Sequence, residues 1–276
     1  GQVIAIDGKT LRRSHDKELG KRAIVMVSAW ATANHLVLGQ VKVDDKSNEI
    51  TAIPELLRVL EISDCIITID AIGCQKEIVA DIVRRDADYV LALKDNQGNL
   101  YQDVELLFDD LEASGFSAYK YNQFRTVNKG HGRIEIRQCW TISDLDVLRC
   151  LRGTNDWQQL KAVVRVRAER RIGQKRTVED RYYISSLEGD AKRLLDCTRT
   201  HWHIENRLHW VLDIAFREDE CRIRKECGAQ NFAILRHIAL NLLKQEKTAK
   251  MGIKGKRLKA GWDEGYLLKV LSGLFT

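Results

Sequence analysis

No Gly or Pro occurs between Gly189 and Gly228. These two residues are the usual helix breakers, so the gap leaves room for one long helix. Within it Leu195, Ile204, Leu208, Val211, Leu212, Ala215 and Phe216 fall at helical steps, which predicts a helix packed along one apolar stripe. Its middle runs from Thr200 to Arg224 (THWHIENRLHWVLDIAFREDECRIR) and places Glu205 at the edge of that stripe, beside Trp202, Leu208 and Leu212. A carboxylate among such neighbours is costly to desolvate unless something positive meets it. A metal ion shared with acids far upstream would answer that cost.

At 276 residues the chain can bury one large core or two. A hydrophobic fraction of 44% and a charged fraction of 30% are those of a soluble globular protein. No apolar run approaches the roughly 20 residues of a transmembrane helix, and the opening GQVIAIDGKT has no secretory-signal pattern. It lacks Met and enters a strand at once, as a fragment would. Seven scattered Cys without a CxxC pair argue for reduced thiols and a cytoplasmic setting. A net charge of +6 is compatible with a polyanionic partner.

In chain order, QVIAID (2–7), AIVMVSAWAT (23–32) and HLVLGQVKVD (35–44) predict a three-stranded antiparallel meander, with Asn34-His35 as a hairpin connection and a polar, basic segment (9–22) after the first strand. Residues 48–61 predict a helix with Ile53, Leu56, Leu57 and Leu60 inward and Pro54 in its first turn. CIITID (65–70) and DYVLALK (88–94) are continuous apolar runs, as in strands buried on both faces. Each is followed by a helical pattern, from about Gln75 and over 99–114, which predicts parallel pairing with crossovers. From about 117 to 185, short strand-like pieces alternate with Gly-bearing turns, a β-rich insertion. NFAILRHIALNLLKQEK (231–247) is a further helix.

Three carboxylates stand out. Period-two alternation puts Val3, Ala5 and Asp7 on one strand face, and Ile66, Thr68 and Asp70 on another. Reactive groups collect at the carboxyl ends of parallel strands. Asp70 sits at such an end and Asp7 near the end of its strand, so the two converge if those strands are neighbours. With Glu205 they would make a two-metal site for hard oxygen-seeking ions such as Mg²⁺. Each acid also has an ordinary reading. Asp7-Gly8 is a turn dipeptide, Asp70 an N-cap, and Glu205 a helix residue paired with Arg199 or His209.

IAIDGKTLR, TIDAIGCQKEI, YVLALKDNQ, GHGRIEIR, HWHIENRLHWVLDIAFREDECR and NFAILRHIALNLL closely resemble the H-repeat-associated proteins, a subgroup of bacterial insertion-sequence transposases of the DDE class. The resemblance covers nearly the whole chain, in order. It implies an α/β fold, a ribonuclease-H-like mixed sheet flanked by helices. Residues 1–116 would begin that core, 117–185 form the β-rich insertion, 186–250 complete the core with the catalytic helix, and 251–276 form a basic tail. It implies Asp7, Asp70 and Glu205 as catalytic metal ligands, Mg²⁺ as cofactor with Mn²⁺ able to substitute, DNA as partner, and a homodimer when full length and DNA-bound. Wider relatives carry Tyr, Arg, Glu and Lys at spacings of three, four and seven. Here Glu205 fits, whereas Thr198, His201 and Leu212 stand at the other three positions. The DNA-contacting role of that Arg and Lys therefore does not carry over directly, and Arg207, His201 and His209 are left as candidates. The subgroup's N-terminal helical region, expected to recognise transposon ends, does not precede the first strand.

Further DNA-facing candidates are Lys9, then Arg133 in GHGRIEIR, which with Arg137 has a structural alternative beside Glu135. Others are Arg165, Arg167, Arg170 and Arg171 on a hairpin of the insertion, and Lys254, Lys256 and Arg257 in a patch that runs from Lys244 to Lys259. A solvated charged face is the ordinary reading of either cluster. His201, His203 and His209 lack a fourth soft ligand at zinc spacing, and Trp202 and Trp210 read as core packing. The functional alternatives are a strand-transferring transposase, a nuclease using the same acids, and a DNA-binding remnant without catalysis.

Overall fold

The structure is a computed structural model and describes residues 1–16, 20–43 and 48–273. Residues 17–19 of the basic segment, Asp44 of the third predicted strand and residues 274–276 of the tail lie outside the described residues. The chain forms two compact units, one of residues 62–201 with Gly1, the other of residues 2–61 and 202–276.

The second of these opens with an antiparallel meander, β1 (Val3–Thr10), β2 (Val25–Ala31) and β3 (Leu36–Lys42). β2 lies between the other two, with Asp7 opposite Ser28 and Val27 opposite Val41. The β2–β3 link spans residues 32–35, and His35 takes a positive φ of 58° at its end. α1 (Glu49–Arg58) starts at Asn48, whose side chain accepts from the Ile50 N–H at 3.0 Å. That cap places Pro54 in the second turn rather than the first, where its ring removes one backbone hydrogen bond. Gly39 lets α1 lie close on β3, since a Cβ there would stand 3.2 Å from Leu56 and 3.3 Å from Leu60.

α7 (Gly228–Gln245) covers the outer edge of β3. The Asn241 amide accepts from Val37 N–H at 2.9 Å and donates to Val37 O at 2.8 Å, which satisfies a strand edge that would otherwise be open. α9 (Glu264–Ser272) packs through Tyr266 and Val270 onto Leu242 and Leu243, and α8 (Ile253–Trp262) adds Ile253 and Ala260 to the same cluster.

The other unit holds β4 (Ile66–Ile69) and β5 (Asp88–Leu93), paired in parallel across the crossover helix α2 (Lys76–Arg84). α3 (Gly98–Ala113) follows. The four strands that come next are β6 (Asn122–Gly130), β7 (Arg133–Ile142), β8 (Ala162–Ile172) and β9 (Lys175–Ser185). They pair antiparallel in succession, and β9 joins the edge of β5 with Val90 opposite Ser185. The β6–β7 turn is made by His131 and Gly132 with φ of 50° and 70°, the mirror-image turn that matches strand twist. A short helix, α4 (Leu145–Cys150), was not signalled by the sequence pattern.

The predicted long helix is three pieces. α5 (Ala191–Ile204) runs into a π-helical turn (Glu205–His209), and α6 (Trp210–Phe216) ends it. Arg217, in the left-handed region with φ 54°, closes the helix by donating its N–H to Leu212 O. The helix therefore stops short of Arg224. No Gly marks this stop, and the sequence pattern ran past it.

Candidate functional site

Asp7 is the fifth residue of an eight-residue strand, not a strand end. Both Asp7 and Gly8 are paired with β2, so the dipeptide is no turn. The Glu49 carboxylate lies 2.3 Å from where a Cβ at position 8 would be, so a larger residue there would displace that side chain. Asp7 Oδ1 accepts from the Gly8 N–H at 2.9 Å, and Oδ2 stands 3.6 Å from His209 Nδ1. The alternation of β1 explains the second contact. Ala5, two residues back on the same face, packs with Ile204, Leu208, Leu212 and Leu240.

The helical segment over that face carries Glu205 on its π turn. Ile204, Leu208 and Leu212 are all buried at four-residue intervals. On a plain α-helix two such steps drift by roughly 80° off one face, and the wider turn takes up the drift. π turns inside helices are frequent at functional sites. Glu205 and Trp202 are exposed, which corrects the expectation of a carboxylate desolvated among apolar neighbours. Solvent meets it.

Asp70 belongs to the other unit. It follows β4 and caps a short 3₁₀ turn (Ala71–Gly73), accepting from the Gly73 N–H at 3.5 Å. The loop after β5 holds this turn, because Asn96 donates to Ala71 O at 2.6 Å and Gln97 to Cys74 O at 2.9 Å. The KDNQ stretch is thus a brace for the Asp70 loop. His201 Nδ1 lies 3.0 Å from Thr68 Oγ1. Burial lowers the His201 pKa to about 4, against the opposing pull of Asp70. A half-buried, neutral imidazole held by Thr68 is not a free phosphate ligand.

Asp7 and Glu205 therefore share one unit and Asp70 lies in the other. Among the described residues no three His, Cys, Asp or Glu side chains converge to hold a metal ion. The donors fit a hard divalent cation in kind, being carboxylate oxygens.

The basic candidates separate sharply. Lys9 is turned inward to Asp213 at 2.8 Å, Asp219 at 3.1 Å and Glu218 at 3.4 Å. Arg165 has no exposed side-chain surface. Its guanidinium lies 4.7 Å over the Trp140 ring, donates to Phe108 O at 3.3 Å and meets Glu112 at 3.1 Å. Lys256 is buried and donates to Leu243 O at 3.0 Å and to Glu246 O. These three cations serve the interior, so each is withdrawn as a DNA contact. Arg167 is paired with both Asp180 and Glu112 at 2.7 Å, and Arg171 with Glu169. Arg133 lies 3.1 Å from Glu135, and Arg257 lies over the Phe216 ring. Arg170, Arg207 and Lys254 are exposed. Sequence reading missed the acids that capture Lys9, which lie 204 to 210 positions downstream and leave no local signal.

Residues 1–242 match the family described as "Transposase DDE domain". The chain is 43% identical over 277 aligned positions, 98% of its length and 71% of the relative's, to the Escherichia coli (strain K12) protein named "H repeat-associated putative transposase YhhI". It is 44% identical over 275 positions, 99% of its length and 69% of the relative's, to "Putative transposase YncI" of Escherichia coli O157:H7. The chain belongs to the DDE-domain transposase family.

Proposed function

We propose that this chain is the catalytic domain of a DNA transposase that hydrolyses phosphodiesters at insertion-sequence ends and joins the freed 3′-hydroxyl to target DNA. The observation that carries it is Asp7, facing the π-turned helix segment of Glu205 within one unit, beside His209 at 3.6 Å. Family membership supports the same reading. Asp7, Asp70 and Glu205 would hold Mg²⁺, or Mn²⁺ in its place. Such an ion supplies charge stabilisation at phosphorus and a nucleophile near neutral pH. The chain's own parts present the carboxylates: β1 carries Asp7, the capped turn after β4 fixes Asp70, and the π turn offers Glu205 to solvent.

On this reading 1–116 and 186–250 form a ribonuclease-H-like core. The chain order supports it, an antiparallel meander and a helix followed by a parallel β-α-β unit. Residues 117–185 are the insertion and 251–276 a basic tail. The working form is a DNA-bound homodimer in the cytoplasm. Among the described residues no helix is long and apolar enough to cross a membrane.

The test is incubation of the protein with a supercoiled plasmid carrying an insertion-sequence end, with products resolved for cut and joined DNA. Joined products in the wild type and neither product with Asp70→Asn are expected. Cut but never joined DNA would replace the reading by a nuclease. A second reading, DNA binding without chemistry, is favoured by His201 and Leu212 standing where wider relatives carry Arg and Lys. Equal nicking by Asp70→Asn would overturn the role given to the acid.

A further inference from the structure

One cluster outside the acids gathers positive charge in the unit that carries β1 to β3. Lys244, on α7, lies 3.8 Å over the Trp30 ring and donates to His35 O and Arg207 O, each at 3.1 Å. Arg207, on the π turn, donates through Nη1 to His35 Nε2. A guanidinium only donates, so that ring nitrogen must keep its lone pair. The His35 ring stacks 6.2 Å from Trp30 and stands 6.4 Å edge-on from His203. Arg207 and Lys247 are exposed, while His35 and Lys244 are half-buried behind them.

The partners of Lys244 and Arg207 in this cluster are neutral: two backbone carbonyls, the Trp30 ring and the His35 imidazole. Among the described residues, Arg207, Lys244 and Lys247 have no carboxylate partner within ion-pair distance. The charges that act on Lys244 are Arg207 and Lys247, both positive, and with burial, the larger cause, they lower its pKa to about 7. His35 is lowered by burial first, and then by Arg207, Lys244, His203 and Lys247. Like charges in a partly desolvated pocket are mutually unfavourable. An anion seated among them attracts each of these charges and offsets their mutual repulsion.

We propose that Arg207, Lys247, Lys244 and the neutral His35 form a binding site for one backbone phosphate of duplex DNA. The proposal rests on the transposase reading only for the source of the phosphate, because the pocket's chemistry requires no more than an oxyanion. Arg207 offers the fork that matches two phosphate oxygens, and Lys247 a second exposed donor. Lys244 adds its charge from behind, its ammonium held over the Trp30 ring. The site lies two residues beyond Glu205 in sequence, so a strand held here passes the π turn. Of the lysines in the sequence patch, Lys256 is consumed inside and Lys259 lies over the Tyr266 ring. Lys244 is the lysine of that patch seated in this cluster, and Lys247, three residues on along the chain, acts on it through its charge.

The test uses the 276-residue chain and a fluorescein-labelled 20-base-pair duplex of arbitrary sequence, titrated by anisotropy across KCl concentrations. Arg207→Gln and Lys247→Gln, both at exposed positions, should each weaken binding roughly tenfold and reduce the salt slope by about 1. Lys244→Met removes the ammonium from the Trp30 ring while keeping an unbranched side chain and should weaken it similarly. Lys129→Gln, exposed in the other unit, should change the affinity less than twofold. A second readout is the Lys244 side-chain resonance in lysine-labelled protein. Inorganic phosphate should shift it saturably and raise its titration midpoint, and Arg207→Gln should abolish both effects. An unchanged salt slope in Arg207→Gln and Lys247→Gln, or a Lys244 signal indifferent to phosphate, overturns the site. Binding lost as expected in a protein that nicks no DNA supports the site and counts against the transposase chemistry alone.

Discussion

Replacing Lys9 by Met gives the sharpest test of how the meander is tied to the helix segment above it. The Lys9 side chain is 11% exposed and meets Asp213 at 2.8 Å, Asp219 at 3.1 Å and Glu218 at 3.4 Å. Asp213 and Asp219 are 29% and 24% exposed, so water compensates them when the ammonium is lost. Glu218 is 2% exposed, and its other cation is Arg236 at 3.5 Å. Breaking a buried ion pair typically costs about 3–5 kcal/mol because the remaining charge is stranded. Glu218 keeps one partner, which places Lys9→Met near the low end, about 3 kcal/mol.

Desolvation already raises the Glu218 pKa, and Lys9 is the first charge opposing it. In Lys9→Met that pKa climbs further. The folded state then takes up a proton more readily than the unfolded one, so the deficit against wild type narrows as pH falls from 7 toward 5. Glu218→Gln in the same chain removes the stranded charge, so the double variant should lose less than the sum of the singles by about 1–2 kcal/mol. Urea unfolding followed by tryptophan fluorescence measures all four corners of the cycle. A loss below about 1 kcal/mol with additive singles would refute the account. If that result came with a large drop in DNA affinity, Lys9 would be a DNA contact after all.

Two more predictions concern buried bases. His237 is 5% exposed and its pKa is lowered to about 4 by desolvation, with Lys9 and Arg236 adding to the effect. The unfolded chain binds this proton first, so stability is lost as pH falls from 6.5 toward 4, by up to about 3 kcal/mol. His237→Leu should flatten that part of the pH–stability curve, and an unaltered curve would put the acid sensitivity elsewhere. Arg165→Met should cost about 1–2 kcal/mol in urea midpoint analysis through lost hydrogen bonds and stacking on Trp140. It should leave duplex affinity unchanged, and a weakened duplex complex without a stability change would contradict the interior role.

The sequence made the strongly patterned elements plain and hid what depends on distant partners. The apolar runs around β4 and β5 and the stripes of α2 and α3 fall within one or two residues of expectation, because burial on a fixed period writes itself into residue order. Asp7 is legible as a candidate, but its place inside the strand is not, since the turn propensity of Asp-Gly competes with pairing to β2, which comes from a later stretch of the chain. The helix stop at Arg217 had no glycine to announce it. The basic run around Arg165 looked like one solvated face, whereas β8 alternates, turning Arg165 inward beneath Trp140. In the sequence Lys244 is one member of a charge patch, and its alliance with His35 and Arg207 appears only once α7 lies along β3.

On the proposed transposase reading, Asp7, Asp70 and Glu205 together hold the divalent metal. Mn²⁺ titration of the protein followed by water-proton relaxation measures that directly, without relying on activity. Saturable binding in the wild type, weakened at least tenfold in each of Asp7→Asn, Asp70→Asn and Glu205→Gln with circular dichroism unchanged, is the predicted result. Wild-type Mn²⁺ affinity in all three variants would contradict it.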